Sequence, residues 1–375
     1  MGLVNAGATF DRLRQLVDDE EVDFVLHLGD IAYADDAFLE RPWSFGYEKK
    51  WDTFMRKASD DFGSKVPYMV VPGNHEAECH SPACVFSPRK LKALSAFSAY
   101  NARFRMPSVE SGADHGKAMW YSFNVGPVHF VVIDTETDFP GANGDHHTWS
   151  PGGGNNGGFG DQLTWLEEDL AKADGERDVR PWIVVSGHRP MYSKENLKKK
   201  VKKISESERV RRVFEPLLKK YNADVYLSGH VHTFERSMPV FDNVVYFDND
   251  NNNHGGSGGG NDHGGNGNDH GDDEGDEADT ARPPPHVVSA RMVYEEPGAP
   301  VHIVNGAGGN IEGMTTPKKV LFQSDYPSWH ALSMRTVAGV GILSFPSVAE
   351  MKSKFVTSIS PAETLDELTI RHHRR

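Results

Sequence analysis

Asp30, Asn74, His75, His188, His230 and His232 each stand at or just beyond the end of a short apolar run, directly after a glycine or close to one. Oxygen and imidazole donors with no thiolate among them suit iron, zinc or manganese in a hydrolytic site. A carboxylate such as Asp30 has two oxygens and can bridge two ions about 3.5–4 Å apart, the spacing of two-metal hydrolases. Asn74 offers a neutral amide oxygen, which limits negative charge beside an anionic substrate. His230 and His232 are two residues apart and would point the same way on a regular strand. A bend just after Gly229 lets each imidazole reach a different ion. One histidine at a strand end is more often structural, but four junctions of the same kind are hard to explain that way.

The four junctions are VDFVLHLGD (Val22–Asp30), PYMVVPGNH (Pro67–His75), PWIVVSGH (Pro181–His188) and ADVYLSGHVH (Ala223–His232). Runs this short and apolar read as buried strands. Val128–Ile133 and Val301–Val304 add two more. Amphipathic helices are expected over Thr9–Val17, Tyr47–Ser59, Arg89–Phe104, Asp161–Ala173 and Glu195–Tyr221. The lysine cluster Lys198–Lys203 in the last reads as a solvated helix face. Strands alternating with helices imply an α/β fold, which places functional groups at the carboxyl ends of its strands.

The chain has 375 residues, 38% of them hydrophobic and 25% charged, which fits a globular enzyme. Its net charge of −14 argues against a general nucleic-acid binder. Ten of its acids, with no Lys or Arg, fall in the low-complexity segment Asp248–Asp279, so the remainder is close to neutral. That segment reads as a disordered acidic insert. It divides a core over residues 1–247 from the remainder over 280–375. Gly141–Gly160 reads as a long loop near the rim. Uncharged stretches such as Thr336–Ala349 are too short to span a bilayer, and this one holds Pro346. The opening residues lack the basic and apolar regions of a secretory signal. Cys79 and Cys84 read either as a local disulfide closing a surface loop, which implies an oxidising compartment, or as two free thiols. His27, His129 and Asp134 read as locally structural. Glu76 is placed to orient His75, and Asn310 and Glu312 lie in a Gly-rich loop near the site without an assigned role.

GDIAY (Gly29–Tyr33), GNHE (Gly73–Glu76), VSGH (Val185–His188) and GHVH (Gly229–His232) occur in that order. This set resembles the metallophosphoesterases, specifically the purple acid phosphatases. The resemblance implies a sandwich of two packed mixed β-sheets flanked by helices. It implies that Asp30 bridges the ions, that Tyr33 and His232 bind Fe(III), and that Asn74, His188 and His230 bind a divalent Zn, Mn or Fe. His75 would then face the phosphate or the leaving group as the catalytic histidine. The implied reaction is hydrolysis of small phosphate monoesters by a metal-generated hydroxide, in an extracellular or vacuolar/lysosomal setting, with neither nucleic acid nor membrane as partner. A generic phosphodiester or nucleotide hydrolase shares the pattern without the iron-binding tyrosine. A Ser/Thr phosphatase would carry GDxVDRG where this chain has GDIAYAD.

The sequence departs from the family pattern in two places. The family's first motif, DxG, supplies an iron ligand from the end of a first strand. Met1-Gly2 matches only its last two positions, so that strand and its aspartate are expected to be missing. A start placed at an internal methionine is the natural explanation, and a degenerate, non-enzymatic form is the alternative that gains weight from this gap. After GVGIL (Gly339–Leu343) the closing pattern fades, with DELTI (Asp366–Ile370) as the expected last strand.

Overall fold

The runs before GDIAY and GNHE form two parallel strands, β1 (Val25–His27) and β2 (Tyr68–Val70), with His27 opposite Val70. The computed structural model of the chain describes residues 1–40, 45–77, 79, 81–113, 117–142, 156–194, 204–246, 290–314 and 326–373. The acidic segment 248–279, the lysine cluster 198–203 and positions 143–155 of the Gly-rich loop lie outside the described residues.

The larger sheet has eight strands. In chain order they are β3 (Tyr121–Val125), β4 (Val128–Val132), β5 (Trp182–Ser186), β6 (Val225–Ser228), β7 (Phe234–Phe241) and β8 (Val244–Val245), followed, after β9 (Ala290–Glu295), by β10 (Val301–Asn305) and β11 (His330–Met334). Strands β5 and β6 are parallel neighbours and wholly buried, so both present their carboxyl ends at one edge. Beyond the acidic segment, β10 inserts between β6 and β7, returning the chain to this sheet. A third sheet joins β12 (Gly339–Ser347), β13 (Glu350–Thr357), β14 (Thr364–Arg371) and β9 in that order. The last strand is therefore longer than DELTI.

Apolar side chains explain the layering. Phe130, Trp182, Val184 and Ile303 of the large sheet pack against Met351, Phe355, Leu368 and Ile370 of the third, with Phe24 and Leu26 beside them. The opposite face of the large sheet lies against helices α5 (Gln162–Gly175) and α6 (Glu206–Lys220) through Leu166, Leu170, Val210 and Phe214. Helices α1 (Gly7–Asp18) and α2 (Tyr47–Ala58) cover β1 and β2 with Phe10, Trp51 and Phe54. The result is the expected αββα sandwich with one difference. The second layer is split, and β1 and β12 each keep one edge unpaired among the described residues. A cavity of about 150 Å³, lined by Leu26, Leu28, Val340 and Ile342 among others, separates them. Met1 also lines it, and the next residue, Gly2, is paired in parallel with Ala32.

The helix expected over 89–104 is broken into α3 (Pro88–Leu94) and α4 (Ser98–Arg103). Between them Ala96 and Phe97 take positive φ, which buries Phe97 fully and lets Ala96 N donate to Asn156 Oδ1. Of the helix expected over 195–221, residues 195–203 lie outside the described residues, and α6 begins at Glu206, where the Ser205 side chain accepts the Glu208 N–H, a standard start.

Candidate metal centre

The glycines of the first two junctions are there because nothing larger fits. A Cβ on Gly29, whose φ is +80°, would stand 2.5 Å from His188 Nδ1, and one on Gly73 would stand 2.4 Å from Asp30 N. That closeness brings strand ends from two different sheets together. Asp30, Tyr33 and His230 themselves take left-handed backbone, a cost usually retained only where side-chain direction matters.

All six predicted metal-binding residues converge. His188 Nε2 lies 3.1 Å from both Asn74 Oδ1 and Asp30 Oδ1, and His230 Nδ1 lies 3.0 Å from Asn74 Oδ1. On the other side of the same carboxylate, Tyr33 Oη lies 3.3 Å from Asp30 Oδ2 and 3.1 Å from His232 Nε2. Asp30 thus turns one oxygen to each group. The outward ring nitrogens are fixed: His188 Nδ1 donates to the Leu28 carbonyl at 2.7 Å and His232 Nδ1 to that of Gly313 at 2.9 Å. Each leaves Nε2 as a lone pair facing inward, the tautomer a metal needs. Burial pushes the pKa values of His230 and His232 down, which keeps both imidazoles neutral. Two oxygen–nitrogen groups sharing a carboxylate fit a pair of hard or borderline cations.

His75 sits beside this pair, its ring 4.3 Å from that of Tyr33. Its Nδ1 donates to Asp35 Oδ2 at 2.8 Å, with Asp36 Oδ2 at 3.7 Å. Burial opposes the charged ring, but Asp35, Asp30 and Asp36 outweigh it and hold His75 protonated well above the ordinary histidine range. Its Nε2 faces the half-exposed Glu312, whose Oε2 is 3.8 Å away and 3.7 Å from His232 Nε2. Tyr33 is driven the other way: burial, then Asp30 and Glu312, push its phenol well above its usual range. Only a strongly charged cation would make it a phenolate.

Glu76 does not orient His75; Asp35 does. The Glu76 carboxylate is fully buried and accepts the backbone N–H groups of Asp30 (2.9 Å), Ile31 (2.7 Å) and Gly73 (3.0 Å), tying the first two junctions together. His27, His129 and Asp134 make local contacts, to Tyr68, to Asn124 and Asp169, and to Thr137 respectively. Asn310 caps its own loop at Glu312 N and Gly313 N. Cys79 and Cys84 form a disulfide, but both are buried rather than at a surface loop. Asp35, two residues beyond Tyr33 of GDIAY, is absent from the sequence reading; Arg189 and Glu206, behind His230, carry no comparable signal.

Gly2 fits the same geometry, since a Cβ there would meet Tyr33 Cδ2 at 3.1 Å. Known proteins resemble this chain in sequence and in fold. Residues 5–234 match the calcineurin-like phosphoesterase family, and residues 299–367 match the iron/zinc purple acid phosphatase-like C-terminal domain. Acid phosphatase A of Cryphonectria parasitica is 32% identical over 96% of this chain and 64% of its own length. Human acid phosphatase type 7 is 30% identical over 81% of this chain and 52% of its own. The chain therefore spans between half and two thirds of these relatives. The fold is that of the purple acid phosphatase PPD1 from yellow lupin seeds, with a TM-score of 0.63 at 20% identity over 98% of this chain and 50% of that one. The chain belongs to the calcineurin-like phosphoesterases, on their purple acid phosphatase branch.

Proposed function

We propose that the protein is an acid phosphatase that hydrolyses small phosphate monoesters at a binuclear Fe(III)–M(II) centre, M being Zn, Mn or Fe. The observation that carries this reading is the pair of donor groups on the two oxygens of Asp30, with a protonated His75 beside them. Tyr33, His232 and Asp30 would hold iron; Asn74, His188, His230 and Asp30 would hold the divalent ion. When bound, the two ions would neutralise phosphate oxygens and lower the pKa of a water.

The protein's own groups do the rest. Neutral Asn74 and the neutral imidazoles keep negative charge out of the phosphate's path. His75, anchored through Nδ1 on Asp35, presents Nε2–H to the leaving oxygen and can give it a proton, a role worth about 100- to 10,000-fold. Glu312 occupies the gap between His75 and His232, so an anionic substrate must turn this side chain outward. The Cys79–Cys84 disulfide supports an extracellular or vacuolar/lysosomal setting. No helix among the described residues is long and apolar enough to cross a membrane.

The test is colour together with substrate range. Iron-loaded protein should show a visible phenolate-to-Fe(III) band that Tyr33→Phe abolishes, and should hydrolyse phosphomonoesters faster than a diester. An iron-replete, oxidised protein without that band, or one that prefers the diester, refutes the proposal.

A further inference from the structure

Behind the divalent group, on the side away from Asp30, lies a buried arginine that the proposed reaction does not use. Arg189 is 3% exposed. Its Nε and Nη2 donate to Glu136 Oε2 at 2.9 and 2.8 Å, and its Nη1 donates to Glu206 Oε2. The same Nη1 lies 3.2 Å from His230 Nε2, and Glu206 Oε2 is 3.7 Å from that nitrogen. One ring nitrogen of His230 is thus shared between a cation and a carboxylate, while the other, Nδ1, points at Asn74 Oδ1.

A neutral imidazole carries one proton, and an arginine can only donate. While Arg189 donates to Nε2, the proton of His230 is on Nδ1 and is given to Asn74. That tautomer cannot ligate through Nδ1. To offer Nδ1 to a metal, His230 must carry its proton on Nε2 instead, and Nε2–H then needs an acceptor. His188 and His232 have backbone carbonyls for this purpose. Among the described residues His230 has no such carbonyl, and Glu206 is the carboxylate beside it.

We propose that Glu206 is the positioning residue of the divalent half-site. It accepts the Nε2–H of His230 when Nδ1 takes the ion, and Arg189, braced by Glu136, holds Glu206 in place. The exchange moves one proton between the two ring nitrogens, through solvent, and leaves the charge of the ring unchanged. Glu206 is the first residue of α6, so the helix that covers the sheet also sets this carboxylate. The proposal rests on the binuclear reading above. A carboxylate backing a histidine ligand is typically worth 10- to 100-fold in metal affinity.

The experiment is competition of Zn²⁺ or Mn²⁺ against a chromophoric chelator, with iron measured separately, on the full chain and three variants. Glu206→Ala should weaken divalent binding about 10- to 100-fold, with iron content unchanged. Glu206→Gln, which keeps an acceptor oxygen, should recover much of that loss. Glu208→Ala, on the same turn but bonded to Arg211 and Arg212, should change little. Nitrogen-15 spectra of the histidines should show the His230 proton leave Nδ1 for Nε2 as Zn²⁺ is added. If the unmutated chain binds Zn²⁺ and Glu206→Ala binds it equally well, the positioning role is overturned and the metal centre stands. If the unmutated chain and Asn74→Ala both fail to bind any divalent ion, the two readings fall together.

Discussion

Glu76 offers the sharpest test of how the centre is assembled. Its carboxylate takes three backbone N–H groups, from Asp30 and Gly73 on Oε2 and from Ile31 on Oε1, in a site with no solvent access. Glu76→Ala orphans all three donors. At about 1–3 kcal/mol for each, the loss is roughly 3–9 kcal/mol, a large part of a typical domain's stability of about 5–15 kcal/mol. Burial and Asp30 both push the Glu76 carboxyl well above its usual range, so removing this acid from beside Asp30 offsets some of the loss. Glu76→Gln can keep its carbonyl oxygen under the Asp30 and Gly73 donors but sets its NH₂ against the Ile31 N–H. One donor is then orphaned, at a cost of about 1–3 kcal/mol. Urea unfolding of chelator-treated protein, followed by tryptophan fluorescence, separates these effects from metal loss. The expected order is wild type, Gln, then Ala, with at least about 2 kcal/mol between the two variants. If Glu76→Ala stays within about 1 kcal/mol of wild type, the three N–H groups are not buried as described. If Gln is as damaging as Ala, charge rather than acceptor count is what matters.

Asp35→Asn should slow hydrolysis of alkyl phosphates by tens-fold or more while sparing p-nitrophenyl phosphate, whose leaving group needs no proton; equal losses on both would remove Asp35–His75 from leaving-group protonation. Asp134 is buried and its carboxyl is pushed up to about 8, against hydrogen bonds from Thr137 and the Glu136 N–H. The folded state therefore keeps a proton that the unfolded chain releases near pH 4, so this contribution is full below pH 4 and is lost as pH rises to about 8. Asp134→Asn should flatten the fall in melting temperature between pH 5 and 8, and an unchanged slope would contradict the assignment.

The four junctions were readable because each is local: an apolar run too short for a helix, a glycine, and a donor residue. Their order was enough to place Asp30, Asn74, His75, His188, His230 and His232 in one site, and all six are there. Partners supplied by tertiary contact were not readable. Glu206 meets His230 only because α6 starts where it does, and Arg189 reads as an ordinary residue after VSGH. Asp35 was closer to hand, but nothing in YADD distinguishes a histidine's anchor from a solvated acid. The break at Ala96–Phe97 is similar, since neither residue favours positive φ and the packing of Phe97 imposes it. Glu76 was misread for the same reason: adjacency to His75 in sequence suggested a partner, whereas its side chain serves three backbone amides.

The division of the donors between sheets has a mechanical consequence. Asp30, Tyr33 and Asn74 follow the two strands of the small parallel pair, whereas His188, His230 and His232 follow strands of the eight-stranded sheet. The edge of β1 is not hydrogen-bonded to β12, so no continuous ladder locks the small pair to the third sheet. An ion bound between the donor groups would act as a cross-link between the small pair and the eight-stranded sheet, which share no strand pairing. Loading the centre should then raise the cooperativity of unfolding as well as its midpoint, because metal affinity is spent partly on holding those bodies in register. Without ions, hydrogen exchange should be fastest along β1 and β2 and slow in β5 and β6, which would mark the small pair as the part that loosens first.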